Sequence, residues 1–301
     1  MSYAIETEHL TRRFGRTEAV RDLTMQVPTG SVFALIGPNG AGKTTTIKTM
    51  MNLLEPTNGR VSVLGVDSRR INPALLARVG YVSENQELPE YLTIAGLMDY
   101  CKPFYPTWDP AFASELATQL DLPLETRLRH CSRGMKMKAA LLVSLAYRPE
   151  LLVMDEPFAG LDALVREEFA QGILEIAGER PWTVFISSHD IDEVERLADW
   201  IGIINKGRLE LAEPVSSLLA RFRQVEVAFA GATSVPPSLP SPWLLPQAAG
   251  PVLRFVDSAF SETESIATIR SLLLGATDIQ VVPMPLRQIF ITLARIYRLS
   301  S

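Results

Sequence analysis

Gly37-Pro38-Asn39-Gly40-Ala41-Gly42-Lys43-Thr44-Thr45 is the stretch that decides how this chain is read. It fits G-x-x-x-x-G-K-[ST], a glycine-rich loop whose backbone N–H groups cradle nucleotide phosphates. Its flanks carry as much weight as the string. Ser31–Ile36 is a short apolar run suited to a buried parallel strand, and Lys43–Met51 continues without a breaker as a helix. Strand, loop and helix in that order aim the unpaired N–H groups of the helix N-terminus at the phosphates. The glycines admit close backbone approach. Lys43 brings a point charge to the β- and γ-phosphates, and Thr44 offers a hydroxyl to Mg²⁺. By itself the loop establishes a nucleoside triphosphate site and nothing finer.

Composition bounds the rest. The chain has 301 residues, 47% hydrophobic and 21% charged, with a net charge of −5. That length predicts about two domains. An acidic balance argues against a general electrostatic grip on nucleic acid. Two cysteines, Cys101 and Cys131, are too few for a disulfide scaffold and fit a reducing compartment. Met1–Glu6 lacks the basic start and apolar run of a signal peptide. No stretch approaches the roughly 18 consecutive apolar residues of a membrane helix. The expectation is a soluble chain, with another polypeptide spanning any membrane at which it works.

Upstream of the loop, Tyr3–Glu8 and Leu23–Val27 read as a hairpin turning near Gly15, with Phe14 in the turn. An aromatic there either packs locally or stacks on an adenine face. Downstream, Gly59–Leu64 and Val79–Val82 read as strands and Pro73–Arg78 as a short helix. From Gln86 to Tyr147 the pattern is helical: Ile94–Cys101, Pro110–Leu120, and Arg133–Tyr147 capped by Ser132. The aromatic tract Tyr100, Phe104, Tyr105, Trp108 reads as a small local core or as a groove for a partner helix.

Leu151–Glu156 is a second buried strand, and it ends in two acids. Carboxylates at the C-terminal end of a parallel strand lie where such sheets bind ligands. Asp155 is placed to hold Mg²⁺, and Glu156 to orient and deprotonate a water for attack on the γ-phosphate. Thr183–Ser187 runs into Ser188-His189-Asp190, putting His189 within reach of the γ-phosphate, and a helix over Ile191–Ala198 is predicted to follow. Trp200–Asn205 and Arg208–Ala212, split by Lys206-Gly207, form a closing hairpin. Beyond the short helix Pro214–Arg221 comes the strand Gln224–Phe229. Thr233–Pro251 carries six prolines and reads as a long irregular connection. Strand Val252–Val256, helix Ser261–Leu274, strand Ile279–Val282 and a final helix Leu286–Arg298 complete the chain.

In that order, over about residues 3–220, these pieces resemble the ATP-binding subunit of ABC transporters. Gly37–Thr45 looks like the Walker A loop, Leu151–Glu156 like Walker B, Ala159-Gly160-Leu161-Asp162 like the D-loop and His189 like the switch histidine. Phe14 matches the adenine-stacking aromatic. Cys131-Ser132-Arg133-Gly134-Met135 stands where the signature L-S-G-G-Q belongs. The resemblance implies an α/β fold: a P-loop NTPase core with an antiparallel β subdomain and a helical subdomain (about 86–147) in residues 1–220, plus a small α+β extension over 221–301. It implies ATP and Mg²⁺ as cofactors. Pro38, Asn39, Gly40, Ala41, Gly42 and Thr45 would line the phosphates with Gly37, Lys43 and Thr44, and Ser132 and Gly134 would reach a partner's nucleotide.

Two departures from the family pattern stand out. Glu84 occupies the Q-loop glutamine position, with Gln86 two residues on, so the metal contact passes to Glu84 or the loop shifts to use Gln86. The signature carries Arg133 and Met135 for Gly and Gln. The resemblance further implies a second ATP-binding subunit, identical or not, an integral membrane permease, and a cytoplasmic place at the inner face of the cell membrane. Pro285–Phe290 and the connector Phe104–Asp109 resemble exporter subunits. The alternative is a soluble ATPase of the same kind acting on DNA or ribosomes; the chain lacks the two cassettes, long coiled coil or basic surface of that group.

Overall fold

The computed structural model describes residues 2–179 and 182–299 and splits into two compact units after Ala212. In the first unit, β1 (Tyr3–Phe14) and β2 (Thr17–Pro28) form a hairpin about Gly15-Arg16, and β3 (Val32–Ile36) leads through the phosphate-loop sequence into α1 (Lys43–Met50). Then come β4 (Asn58–Val63), β5 (Val66–Asp67), the single turn α2 (Pro73–Leu76) and β6 (Val79–Ser83). Three helices follow, α3 (Ile94–Cys101), α4 (Pro110–Gln119) and α5 (Arg133–Leu145). Last are β7 (Leu151–Asp155), α6 (Ala163–Glu179), β8 (Thr183–Ser188), β9 (Trp200–Asn205) and β10 (Arg208–Pro214).

Two sheets result, β2-β1-β4-β5 and β10-β9-β3-β8-β7-β6. The first is antiparallel. In the second, β3 pairs in parallel with β8 and β9, and β7 with β8 and β6. Every residue of β7 and β8 is buried, as expected of strands covered on both faces. Phe33 stacks on Phe185 at 5.7 Å across the neighbouring strands β3 and β8. The register pairs Ile36 with Ser188, Asp155 with Ser187, and Ser83 with Asp155. Four strands therefore end level, and whatever follows each of them emerges along one edge. β9 and β10 turn through Lys206 (φ 47°) and Gly207 (φ 82°), two successive left-handed residues of the kind that suit a two-residue hairpin.

Two local expectations fail in this unit. Ile191–Ala198 is not a helix: only Ile191–Glu193 forms a 3₁₀ turn. The Asp190 carboxylate caps that turn by accepting from Asp192 N–H at 3.0 Å, and the buried Glu193 carboxylate accepts from the Ser188 hydroxyl. The chain continues to Ala198 in separate turns, with Glu195 N–H donating to the Ile191 carbonyl at 2.9 Å and Ala198 N–H to that of Val194 at 3.0 Å. The sequence reading also offers no element between Asp162 and Thr183, where α6 lies; Asp162 caps it by accepting from Val165 N–H at 2.9 Å. The aromatic tract divides. Tyr105 stacks on Tyr147 at 3.8 Å as local core, whereas Tyr100 and Phe104 are 52% and 66% exposed.

The second unit contains α7 (Val215–Arg221), β11 (Arg223–Phe229), β12 (Trp243–Ala249) and β13 (Val252–Asp257), then α8 (Glu262–Leu272), β14 (Ala276–Pro283) and α9 (Leu286–Leu299). Its antiparallel sheet runs β12-β13-β11-β14. Ile269 and Leu273 close its core over Val225, Val227, Trp243, Leu253 and Phe255. The boundary falls before α7 rather than after residue 220, because Arg221 is bound to Glu213 at 2.7 Å and to the Ser258 carbonyl. The expected domain ranges also take in Met1, Arg180, Pro181, Ser300 and Ser301, which lie outside the described residues.

Thr233–Pro251 is not wholly irregular, since β12 runs through it. Pro246 is tolerated because β12 is an edge strand and its register with β13 shifts between Leu244 and Gln247, so no ladder N–H is lost there. Trp243 anchors the strand, 6% exposed and stacked on Phe255 at 4.2 Å. Trp243→Ala is expected to cost about 3–5 kcal/mol of this unit's stability, read by urea titration of amide exchange in β11 and β13. Unchanged protection would exclude β12 from the core.

Candidate nucleotide site

The loop after β3 is held tightly from below. A Cβ at Gly37 would strike the Ile204 carbonyl oxygen, and one at Gly42, whose φ is 108°, the Ala19 carbonyl oxygen. Pro38, Asn39 and Gly40 are exposed, while Ala41 and Lys43 are buried. Gly207 N–H donates to the Ala41 carbonyl at 2.8 Å, and the Thr49 hydroxyl to that of Thr45 at 2.8 Å. Lys43 is 4% exposed, so its charge requires compensation. Its ammonium donates to the carbonyls of Gly37 at 2.6 Å and Pro38 at 3.2 Å and lies 3.0 Å from Glu156 Oε1. Those three acceptors match the three protons of an ammonium group.

The acids at the end of β7 have separate surroundings. Asp155 Oδ1 accepts from the Ser187 hydroxyl at 2.7 Å and the Thr44 hydroxyl at 3.1 Å. Burial pushes the Asp155 carboxyl above its ordinary range, against the pull of those two hydroxyls. A desolvated carboxylate beside a threonine hydroxyl is a hard-oxygen donor set that fits Mg²⁺. Glu156 follows at φ 51°, which turns its side chain out of the strand line; its N–H donates to Ser187 Oγ at 3.0 Å. Glu156 Oε2 meets His189 Nδ1 at 2.8 Å. That hydrogen bond is the main cause of an imidazole pKa raised above 6.5.

The structure thus brings together Lys43, Thr44, Asp155, Glu156 and His189. Sequence reading missed Ser187, which links both acids, and Glu193, whose buried carboxylate is pushed upward by desolvation while Ser188 and Arg166 hold it. A serine hydroxyl that is fully buried at a strand end is the feature that marks Ser187, and burial is not legible from sequence.

Other expected residues lie elsewhere. Ser132 and Gly134 begin α5, where the Ser132 hydroxyl accepts from Met135 N–H at 3.2 Å. Gly134 is required by packing, because a Cβ there would collide with Val165 of α6. Phe14 is 46% exposed, with the Arg12 guanidinium 4.7 Å from its ring centroid. None of these three is a hydrogen-bonding partner of Lys43, Asp155 or Glu156 among the described residues. Glu84 N–H donates to the Asp155 carbonyl at 3.0 Å, but its carboxylate accepts from Arg133 at 2.6 Å. Gln86 lines the same pocket as Glu84 and Arg133.

Comparison with known proteins agrees with this geometry. The family model described as ABC transporter matches residues 20–159. The bacitracin transport ATP-binding protein BcrA of Enterococcus faecalis is 33% identical over 226 residues, covering 74% of this chain and 73% of that protein. The sulfate/thiosulfate import ATP-binding protein CysA of Salmonella typhi is 30% identical over 219 residues, 70% of this chain and 60% of its own. A solved ATP-binding subunit of an ABC transporter superposes with a TM-score of 0.64 at 27% identity, covering 72% of this chain and 92% of that one. The chain belongs to the ABC transporter ATP-binding family. It is an ATPase and the ATP-binding subunit of a transporter.

The His189–Glu156 pair has a sign that can be checked. With the folded pKa raised, the pair's contribution to stability is complete below the unfolded value and lost as pH rises through the folded one. The NMR titration of the His189 ring is expected to have its midpoint above 6.5 and to fall in Glu156→Gln. A midpoint that ignores that substitution would dissolve the pair.

Proposed function

We propose that this chain hydrolyses magnesium-bound ATP as one of two cassettes that close on two nucleotides, and so drives export through a separate permease. The observation that carries the reading is Glu156, held with one oxygen on Lys43 and the other on His189. Bound phosphate oxygens would take over the Lys43 ammonium from Gly37, Pro38 and Glu156, releasing the carboxylate to accept a proton from water. His189 orients that carboxylate and can reach the γ-phosphate. Magnesium, held by the Thr44 hydroxyl and Asp155, would neutralise charge on the β- and γ-oxygens. Exposed Pro38–Gly40 and Thr45 complete the phosphate cradle with Gly37, Ala41 and Gly42, and Phe14 stacks the base. Ser132 and Gly134 serve the partner's nucleotide across the dimer.

No helix among the described residues is long and apolar enough to cross a membrane. In this reading a permease spans it, with the chain at the cytoplasmic face and exposed Tyr100 and Phe104 turned toward the permease. Export is supported by the exporter-like start of the closing helix, Pro285–Phe290, and by the connector Phe104–Asp109. The match to a bacitracin transport protein over 73% of that protein's length names the first cargo to test.

Glu156→Gln is expected to keep ATP binding, to slow turnover by a factor on the order of 10²–10⁴, and to accumulate an ATP-bound dimer in size-exclusion chromatography. Lys43→Ala should weaken nucleotide binding itself. Normal turnover in Glu156→Gln would remove it as the base. Direction is tested in inverted vesicles carrying the chain with the permease that co-purifies from detergent-solubilised membranes, using labelled bacitracin as the first probe. ATP-driven accumulation inside is expected, and ATP-driven loss from preloaded vesicles would reverse the assignment.

A further inference from the structure

Two of the positions at which this sequence leaves its family's pattern are brought together by the fold. Glu84 and Arg133 are 49 residues apart in the chain, and Arg133 Nη2 donates to Glu84 Oε1 at 2.6 Å. The same guanidinium lies against the turn between β7 and α6: a Cβ on Gly160 would sit 2.9 Å from Arg133 Cζ and 3.0 Å from Nη1. Gly160 has φ 70° in that turn, downstream of Glu156. On the other side, Glu84 N–H is bonded to the Asp155 carbonyl at 3.0 Å. One side chain at the N-terminus of α5 therefore touches the segments that leave β6 and β7. One turn further on, Lys136 pairs with Glu90 at 2.8 Å and ties α5 to the same connecting segment.

We propose that Arg133 and Glu84 form a clasp within one chain that sets the N-terminus of α5, and with it Ser132 and Gly134, against the strand ends bearing Asp155 and Glu156. Both are positioning residues for ATP hydrolysis, and Glu84 serves Arg133 in place of a metal ion. A glycine at 133 has no side chain to reach residue 84. An arginine there without an acid opposite would leave a cation unpaired, and Glu84 without Arg133 would add a third carboxylate beside Asp155 and Glu156. Each departure answers the other.

The pair's effect is geometric. Its side chains are 48% and 32% exposed, and a surface ion pair of that kind contributes little to stability. The planar guanidinium is held in direction, however, between the carboxylate and the glycine backbone, which a lysine or a glutamine could not reproduce. It is the angle of α5, rather than the stability of the unit, that depends on the pair.

A double-mutant cycle on the full-length chain tests this, and it rests on the ATPase activity alone, not on export. Glu84→Ala, Arg133→Ala and the double variant are compared for kcat, KM for ATP, half-saturating Mg²⁺ and thermal midpoint. The same changes in a Glu156→Gln background are read for ATP-dependent dimer by size-exclusion chromatography, which does not depend on turnover. Each single change is expected to lower kcat about tenfold, with the double variant no worse than either. The dimer fraction should fall equally in all three, while KM, the Mg²⁺ requirement and the thermal midpoint hold. Losses that multiply in the double variant would overturn the clasp. So would a raised Mg²⁺ requirement in Glu84→Ala alone, which would make Glu84 a metal ligand, or a raised KM in Arg133→Ala alone, which would make Arg133 a nucleotide contact.

Discussion

An ammonium group removed from water needs an acceptor for each proton and a compensating charge, and Lys43 finds both in the Gly37 and Pro38 carbonyls and the Glu156 carboxylate. That demand organises the first unit. Two of the acceptors come from the loop after β3, and the third from the end of β7, two strands away in the sheet order. The ion pair closes only if those strands end level, which the parallel register of β3, β8 and β7 enforces. β8, lying between them, contributes Ser187 and leads into His189, so the bonds of Asp155 and Glu156 to Thr44, Lys43, Ser187 and His189 all join different strand ends along one edge.

The same arrangement prepares the site for a change of partner. Carbonyl oxygens and a carboxylate satisfy Lys43 in a geometry that phosphate oxygens can replace without leaving the ammonium unpaired. In the proposed reaction Glu156 would keep His189 when the phosphates take Lys43, so its orientation would survive the exchange. Asp155 stands apart from this, fixed by the hydroxyls of Ser187 and Thr44 and desolvated enough to favour a cation. Two adjacent acids thereby have different surroundings, which suit them to different tasks in the proposed reaction. Arg133 extends this edge to the helical region, because it reaches both the segment after β6 and the turn after β7.

The second unit is built on another rule. Its core lies on one sheet face under α8, so the two central strands alternate, as Val225 and Val227 in β11 and Leu253 and Phe255 in β13 show. Edge position and a register shift are what admit Pro246 into β12. The proline-rich sequence is consistent with a strand only once its place in the sheet is known.

Local chemistry was legible from sequence alone: the phosphate loop with Lys43 and Thr44, the acids closing β7, His189 after β8, and Ser132 as the cap of α5. In each case one short segment contains both the signal and the element that presents it. The family and its nucleotide were legible for the same reason, whereas the start of the second unit at Glu213, rather than at 221, was not. What sequence could not supply were relations between segments distant in the chain. Ser187 bridging two acids, Val165 requiring a glycine at 134, and Arg133 answering Glu84 all depend on partners that only folding makes neighbours. Periodicity and propensity describe a residue's own segment. Hydrogen bonds, ion pairs and steric limits are decided by what packs against it, and that became determinate only when the strands aligned.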